Sequence, residues 1–447
     1  MWLALAQGSS ELIWWPYLIA KYGLAFLFLL VPACLLQFPV NYHIGAYTVL
    51  TGESIFQGFR RLSPWFAGFL YVFMAVSFFW FGAFASAGGT SLAALTGFPA
   101  GWSDRGRMLF WAYSSIAVFF IALLLSRVVY RVIELFMWCV ATATLAGLSL
   151  ACLHSDVLEA LPAFCRGIVV PDLPPPRPWD PGDADTLLTA IAFAGLGGFW
   201  ALFYSYWLRE KGAGMAAYAG RVTGPVTGRE EVISVEGWTF PDTGEDVARM
   251  ARWKRHILVD SGIGIAGNIA TTLMTCLLAY ALLHPRGILP EGHEIAVVQA
   301  RFFEASWGPA GRVAFLVIAA CFLSDAWMAT LDAVSRIHAD FLIGVSDRAR
   351  RIGYRKVYYG AALAMTAITS VTVLWDTPGA LIKLSAVIGF GGTVVYTFAL
   401  LLLSSRTLPA IVPPRAAPGR AACFGLLVAW IAYLAMAIAY GWTLFHG

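Results

Sequence analysis

The sequence predicts an all-α polytopic membrane protein: one domain of 11 transmembrane helices, the first ten forming two five-helix halves of inverted orientation. Three observations carry this. Of 447 residues, 59% are apolar, 15% aromatic and only 13% charged, against roughly 25% charged in ordinary soluble domains. The apolar segments recur along the whole chain, so no soluble half separates from a membrane half. Two of the segments, five helices apart, are interrupted by small and polar residues; because five is odd, the halves they open point in opposite directions.

A bilayer core about 30 Å thick takes roughly 20 apolar residues per helix. Runs of that kind begin near Trp2, Tyr22, Trp65, Met108, Val132, Leu187, Ile257, Val313, Val357, Gly379 and Ala421. The first half covers residues about 1–154, the second about 186–405, and an extra helix about 421–445. The first run lacks a basic leader and the next follows at once, so it reads as a span and not as a cleavable signal.

The chain has 30 Lys and Arg against 26 Asp and Glu, a formal charge of +4. With the N-terminus cytoplasmic, 20 of those basic residues fall in inner loops and eight in outer ones. The positive-inside rule then sets the N-terminus inside and the C-terminus outside. The basic residues form neither a stripe nor a tail, which excludes nucleic acid as a partner. The expected partners are the lipid bilayer, a transported ion or solute and, on the alternative reading below, other membrane proteins.

Two loops are long. The outer one, 155–185, carries Pro-Asp-Leu-Pro-Pro-Pro-Arg-Pro and should be extended and mostly irregular. The inner one, 209–255, mixes Gly, Pro and charge, with a short amphipathic stretch near Val247 to Trp253. It holds neither a P-loop nor paired Cys or His, so an ATPase module is absent. No HExxH or GxSxG occurs, and the chain is not expected to be an enzyme. Seven cysteines lack CxxC or metal-ligand spacing and read as small packing residues. A Cys152–Cys165 bridge across the outer loop is the one pairing worth testing.

The two interruptions are Gln7-Gly8-Ser9-Ser10-Glu11 in helix 1 and Ala194-Gly195-Leu196-Gly197-Gly198 in helix 6. They occupy matching places. Paired broken helices are the sequence mark of a transporter whose substrate sits at the bilayer midplane, where freed carbonyls and half-helix ends become ligands. The plainer reading is that Gly and Ser let helices pack closely.

Here the chain resembles the Nramp family of divalent-metal transporters, built on the LeuT-type scaffold. Helix 1 ends Ala20-Lys21-Tyr22-Gly23, which aligns the family's Asp-Pro-Gly-Asn with Gly8-Ser9-Ser10-Glu11. Helix 2 closes with Gly45 to Gly52, similar to the family's Gly-x-x-x-x-Thr-Gly; Asn268 stands in helix 7 where the family commonly has an Asn, and helix 10 tails off as Arg406-Thr407-Leu408-Pro409. The resemblance implies a LeuT-type 5+5 inverted repeat in a bacterial inner membrane. It also implies substrate contacts at Gly8, Ser9, Ser10, Glu11, Gly195, Gly197 and Gly198. Yet the family's metal-binding Asp falls on Gly8, and its thioether Met on Gly198. A soft-metal site does not survive both losses. Oxygen-only lining suits a hard divalent cation of the Mg²⁺ or Mn²⁺ type, with Glu11 its ligand if a cation binds, or equally a small solute whose anionic group meets a half-helix N-terminus. No resident cofactor is expected beyond the transported cation and H⁺ or Na⁺.

Glu11, within a membrane break, is by default functional; otherwise it caps the second half of helix 1. Helix 8 carries Asp325, Asp332, Arg336 and Asp340 within an arc of about 80° at 100° per residue. Asp325 and Asp332 are the deeper pair and, with Asn268, the candidates for ion coupling. Asp332–Arg336 and Arg336–Asp340 are both i, i+4 pairs and should form an ion-pair ladder. Lys383 and Glu134 should snorkel from helix ends.

Only seven residues precede Gly8, whereas half a 30 Å core takes about 10 helical residues. Either the true start lies upstream, or transport has been lost. The leading expectation is a secondary transporter working by alternating access; the alternative is a non-transporting subunit of a membrane assembly.

Overall fold

The structure, a computed structural model, describes residues 10–195, 197–289, 295–375 and 378–446. Gly8 and Ser9 therefore lie outside the described residues. Ser10, Glu11 and Asp325 are described in their backbone alone.

A single π turn, Ser10–Trp14, leads into α1 (Trp15–Tyr22). There follow α2 (Leu30–Thr51), α3 (Ile55–Leu62), α4 (Pro64–Ser77), α5 (Gly82–Thr96), α6 (Asp104–Leu125), α7 (Val129–Ala151) and α8 (Ser155–Gly167). The second half holds α9 (Ala184–Phe193), α10 (Phe203–Lys211), α11 (Gly244–Leu278), α12 (Ile295–Val345), α13 (Asp347–Ile352), α14 (Tyr354–Thr372) and α15 (Pro378–Leu402). A short α16 (Leu408–Ile411) and the last helix, α17 (Arg420–His446), complete the chain. Among the described residues, nine helices or merged helix pairs are long and apolar enough to cross a membrane. They coincide with predicted spans 2–8, 10 and 11. The helix at predicted span 9, α14, runs 19 residues, and span 1 is represented by the π turn and α1.

Chain punctuation places the boundaries. Gly52 ends α2 in the left-handed conformation, φ +71°, with its N–H on the Thr48 carbonyl at 2.8 Å; an L side chain would be strained there. Ser54 then starts α3 with a reciprocal capping box to Gln57, satisfying two helix-end donors. Ile55, Phe56 and Phe59 of α3 face inward and Arg61 outward, the pattern of a helix lying at an interface. Pro64 sits at the first position of α4 behind the Ser63 cap, where its missing N–H costs nothing.

Two helices organise the interior. α12 packs against α5, α7 and α14, and α11 packs against α2, α1 and the π turn. α2 and α11 run antiparallel: Cys34 meets Asn268, and eleven residues further along α2 a Cβ on Gly45 would lie 2.7 Å from Ile257.

The structure corrects two loop expectations. The outer loop is not mostly irregular, because Ser155–Gly167 folds as α8 with Val157 and Phe164 buried on the last turns of α11; seven-residue spacing puts both on one face. The amphipathic stretch near Val247 is not a separate element but the opening of the 35-residue α11, capped by Thr243 on the Asp246 N–H at 3.1 Å. The one pairing worth testing, Cys152–Cys165, does not form a disulfide.

Candidate functional site

Helix 6 is broken. α9 stops at Phe193, Ala194 turns extended at ψ 129°, Gly195 and Gly198 take positive φ (+67° and +66°), and a 3₁₀ turn from Gly198 leads into α10. Glycine is required here by contact as well as by dihedral. A Cβ on Gly197 would lie 1.8 Å from the Ala192 carbonyl oxygen, and one on Gly195 would lie 3.0 Å from that of Cys34.

Two freed backbone groups find partners on other helices, and a side chain of the restarting turn finds a third. The Gly195 N–H donates to Asn268 Oδ1 at 3.0 Å, and Cys34 Sγ donates to the same oxygen at 3.3 Å. Asn268 thus ties the break to α11 and α2. The Gly198 carbonyl accepts from the Tyr396 hydroxyl of α15 at 2.8 Å, and Trp200 Nε1 donates to Thr330 Oγ1 of α12 at 3.0 Å. Among the described residues, Gln37, whose Nε2 approaches Gly197, keeps a buried Oε1 without a hydrogen-bond partner, and one turn along α2 both amide atoms of buried Asn41 are unpartnered. Orphaned polar atoms at this depth call for water or a bound polar guest.

Helix 1 reaches the same region. The π turn, where Ser10 and Glu11 lie, packs against α9, α11 and α12, and Trp15 Nε1 donates to the Ala190 carbonyl at 3.1 Å. Lys383 of α15 sits over the Trp14 ring at 5.1 Å. Among the described residues, no three His, Cys, Asp or Glu side chains come together as a metal site.

Helix 8 carboxylates fall into two separate ion-pair centres. In the first, Arg336 donates Nε to both oxygens of Asp332 at 2.9 Å and pairs with Glu210 at the end of α10. Tyr358 of α14 donates to Asp332 at 2.7 Å, and Glu210 also accepts from the Val222 N–H at 3.2 Å. In the second, Asp340 accepts from Ser54 Oγ at 2.5 Å, Gln57 Nε2 at 2.8 Å and the Tyr206 hydroxyl at 3.1 Å, with Arg209 at 3.5 Å. The expected Arg336–Asp340 rung is replaced, because both side chains are buried and α3 and α10 supply nearer partners. Glu134 reaches Lys211 of α10 at 3.1 Å.

Beside the second centre, Glu53 accepts from Tyr47 and from Arg61 Nε at 2.9 Å. The loop of residues 212–243 closes over it: Arg209 Nη2 donates to the Ser234 carbonyl at 2.6 Å, and the Trp238 N–H to that of Thr51 at 2.8 Å. At the opposite end of α1, Lys21 pairs with Asp180 at 3.0 Å and Asp183 at 2.7 Å, while Tyr22 donates to Asp183 at 2.7 Å. The hydrogen bond from Lys21 holds the Asp180 carboxyl below its ordinary range.

Sequence reasoning missed Glu210, Tyr358, Tyr396 and Gln37. Glu210 stands next to Arg209 at a span end, where charge is expected at the interface, and the tyrosines belong to a type abundant in membrane proteins for other reasons. A polar residue between Leu36 and Phe38 was the one available signal.

No protein-family model matches the sequence, and no curated protein matches it. Solved structures do match in fold. A variant of the Eremococcus coleocola manganese transporter shares 12% identity, with a TM-score of 0.65 over 98% of this chain and 84% of its own. MhsT in complex with L-phenylalanine shares 12%, with a TM-score of 0.59 over 99% and 97%. Mhp1, a nucleobase-cation-symport-1 family transporter in a closed conformation with bromovinylhydantoin bound, shares 10%, with a TM-score of 0.55 over 99% and 91%. The chain has the LeuT-type fold that these transporters share.

Proposed function

We propose that this integral membrane protein is a Nramp-like secondary active transporter working by alternating access, coupled to H⁺ or Na⁺. Its cargo on this reading is a hard divalent cation of the Mg²⁺ or Mn²⁺ type or a small polar solute. The observation that carries the reading is the non-helical, buried backbone of Ala194, Gly195 and Gly197 in helix 6, since irregular backbone survives at membrane depth only inside protein or around a polar chamber. The cargo would meet Ser9, Ser10 and Glu11 from helix 1 and main-chain oxygens of Gly8, Gly195 and Gly197 from the two breaks. Gly198 contributes shape more than a ligand, its carbonyl being held by Tyr396. Asp325 and Asp332 are the proposed coupling carboxylates and Asn268 the residue that holds the break in register. Eleven spans in a 5+5 inverted repeat, N-terminus inside and C-terminus outside, complete the proposal, with a bacterial inner membrane as its setting.

Two features favour a small solute over a dication. Apart from Glu11 the proposed lining is neutral, and Asn41 offers an amide donor beside its acceptor, a pair that a hydrogen-bonding solute uses in full and a cation only by half. Flux into proteoliposomes separates the cases: Mn²⁺, Mg²⁺ and a panel of amino acids and nucleobases, each under an imposed H⁺ or Na⁺ gradient, for wild type and Glu11→Gln. Gradient-driven uptake of one class, abolished by Glu11→Gln, is the expected result.

One observation favours the second reading, a non-transporting subunit of a membrane assembly. Asp332 is fully buried and already held by Arg336 and Tyr358, so in this conformation it has little capacity left for a coupling ion. No uptake of any compound, with stable partner proteins co-purifying, would replace the transporter reading by this one.

A further inference from the structure

Away from the broken helices, a groove of about 590 Å³ opens between α4, α12, α13 and α14, within the roughly 300–1,000 Å³ of small-molecule sites. Its chemistry is divided along its length. Arg348, Lys356 and Ser346 line one end, near the Tyr71 hydroxyl, which lies 2.6 Å from His338 Nδ1. The remainder is walled by apolar groups, including Phe79, Ala361, Ala364, Met365 and Ile368. From Lys356 to Ile368 the wall runs along α14 for about 18 Å at 1.5 Å per residue, about the depth of one leaflet of a core about 30 Å thick.

The two basic groups at the mouth are uncommitted. Their neighbours Arg350 and Arg355 pair with Asp347 and Glu230, whereas Arg348 and Lys356 are exposed and form no ion pair among the described residues. A pair of free cations above an apolar slot one leaflet deep is complementary to a single class of molecule abundant at that position. We propose that this groove binds one anionic phospholipid, with the phosphate headgroup at Arg348 and Lys356 and one acyl chain along Ala361, Ala364 and Ile368. Basic pockets between membrane helices on the basic-loop side recognise anionic headgroups in this way. The lipid wedges α14 against α4 and the end of α12, so it acts on the helix that carries Tyr358 to Asp332.

Native mass spectrometry of the full chain in detergent tests the proposal, with dipalmitoyl phosphatidylglycerol, dipalmitoyl phosphatidylcholine and chain-free glycerol phosphate as probes. Phosphatidylglycerol should be retained about tenfold or more tightly than phosphatidylcholine, two nearby cations sufficing for that preference, and glycerol phosphate should not be retained. Arg348→Ala with Lys356→Ala should erase the preference. Ala364→Trp should displace both lipids by filling the slot, and Arg415→Ala, an exposed cation elsewhere, should change neither. Equal retention of the two lipids by wild type, retention of glycerol phosphate, or an unchanged preference in the double variant would each overturn the proposal. All four substituted residues are exposed, so size-exclusion profiles identify any variant that fails to fold, and the remaining variant still decides.

Discussion

The Tyr396 hydroxyl of α15 donates to the Gly198 carbonyl across 2.8 Å, at the point where helix 6 restarts after its interruption. Both groups are buried, so this bond holds the second half of a broken helix against a helix nearly 200 residues later. The Phe199 ring that follows fits over Gly392, where a Cβ would come within 2.2 Å of it. The break is therefore seated in a matched surface on α15.

Tyr396→Phe removes the hydroxyl donor and leaves the Gly198 carbonyl only the partner that its own 3₁₀ turn provides. The expected loss is about 0.5–1.5 kcal/mol, read as a lower midpoint in a fluorescence-detected thermal unfolding series, with native size retained. A midpoint equal to wild type would show that the hydroxyl adds nothing to the hold on the break.

Gly197→Ala forces a methyl into the Ala192 carbonyl, and relief requires moving the end of α9. Folded yield should fall to background. Gly68→Ala in α4 is the matched control: no atom lies within 4 Å of the added carbon, and replacing a mid-helix glycine stabilises by up to about 1 kcal/mol. Equal yields from the two variants would contradict the packing of the break.

Arg336→Gln strands Asp332 and Glu210 in the interior. Breaking a buried ion pair by removing one partner costs about 3–5 kcal/mol, so the variant should be poorly expressed. Adding Asp332→Asn and Glu210→Gln removes the stranded charges and should recover much of the yield, because neutral partners do not carry the same desolvation penalty. A triple variant no better than the single one would mean that packing, not charge, fails.

The clamp of Lys21 with Asp180 and Asp183 is sensitive to acid in a defined sense. The hydrogen bond from Lys21 lowers the Asp180 carboxyl below its ordinary value, so its contribution is present above the unfolded-state value of about 3.9 and is lost as pH falls through the lower folded value. Hydrogen exchange of residues 168–183 should stay constant from pH 7 to 5, after correction for intrinsic rates. Asp180→Asn should raise it at every pH in that interval. Exchange that rises between pH 7 and 5 in wild type would assign the clamp to another group.

Much was readable from residues alone. Interruption of helix 6 followed from three glycines in five positions, because glycine carries a steep helix cost and a matching interruption five helices away argues against close packing as its sole reason. The shared face of Asp332, Arg336 and Asp340 on helix 8, which meets α10, followed from residue spacing. The Asp332–Arg336 pair followed as well, since i, i+4 geometry is local. Arg336–Asp340 had equal local warrant and did not form.

That contrast marks the boundary. By itself the sequence determined what depends on neighbours along the chain: an apolar integral membrane protein with its spans, the small residues that unwind helix 6, and the charges of helix 8. Tertiary structure alone decided who partners whom: Glu210 for Arg336, Ser54 and Gln57 for Asp340, Tyr396 for Gly198, and Asn268 for the Gly195 N–H. A buried charge or freed amide binds the best-placed partner within about 3 Å, and which groups come that close is set by how helices far apart in sequence pack, a relation that no local spacing encodes.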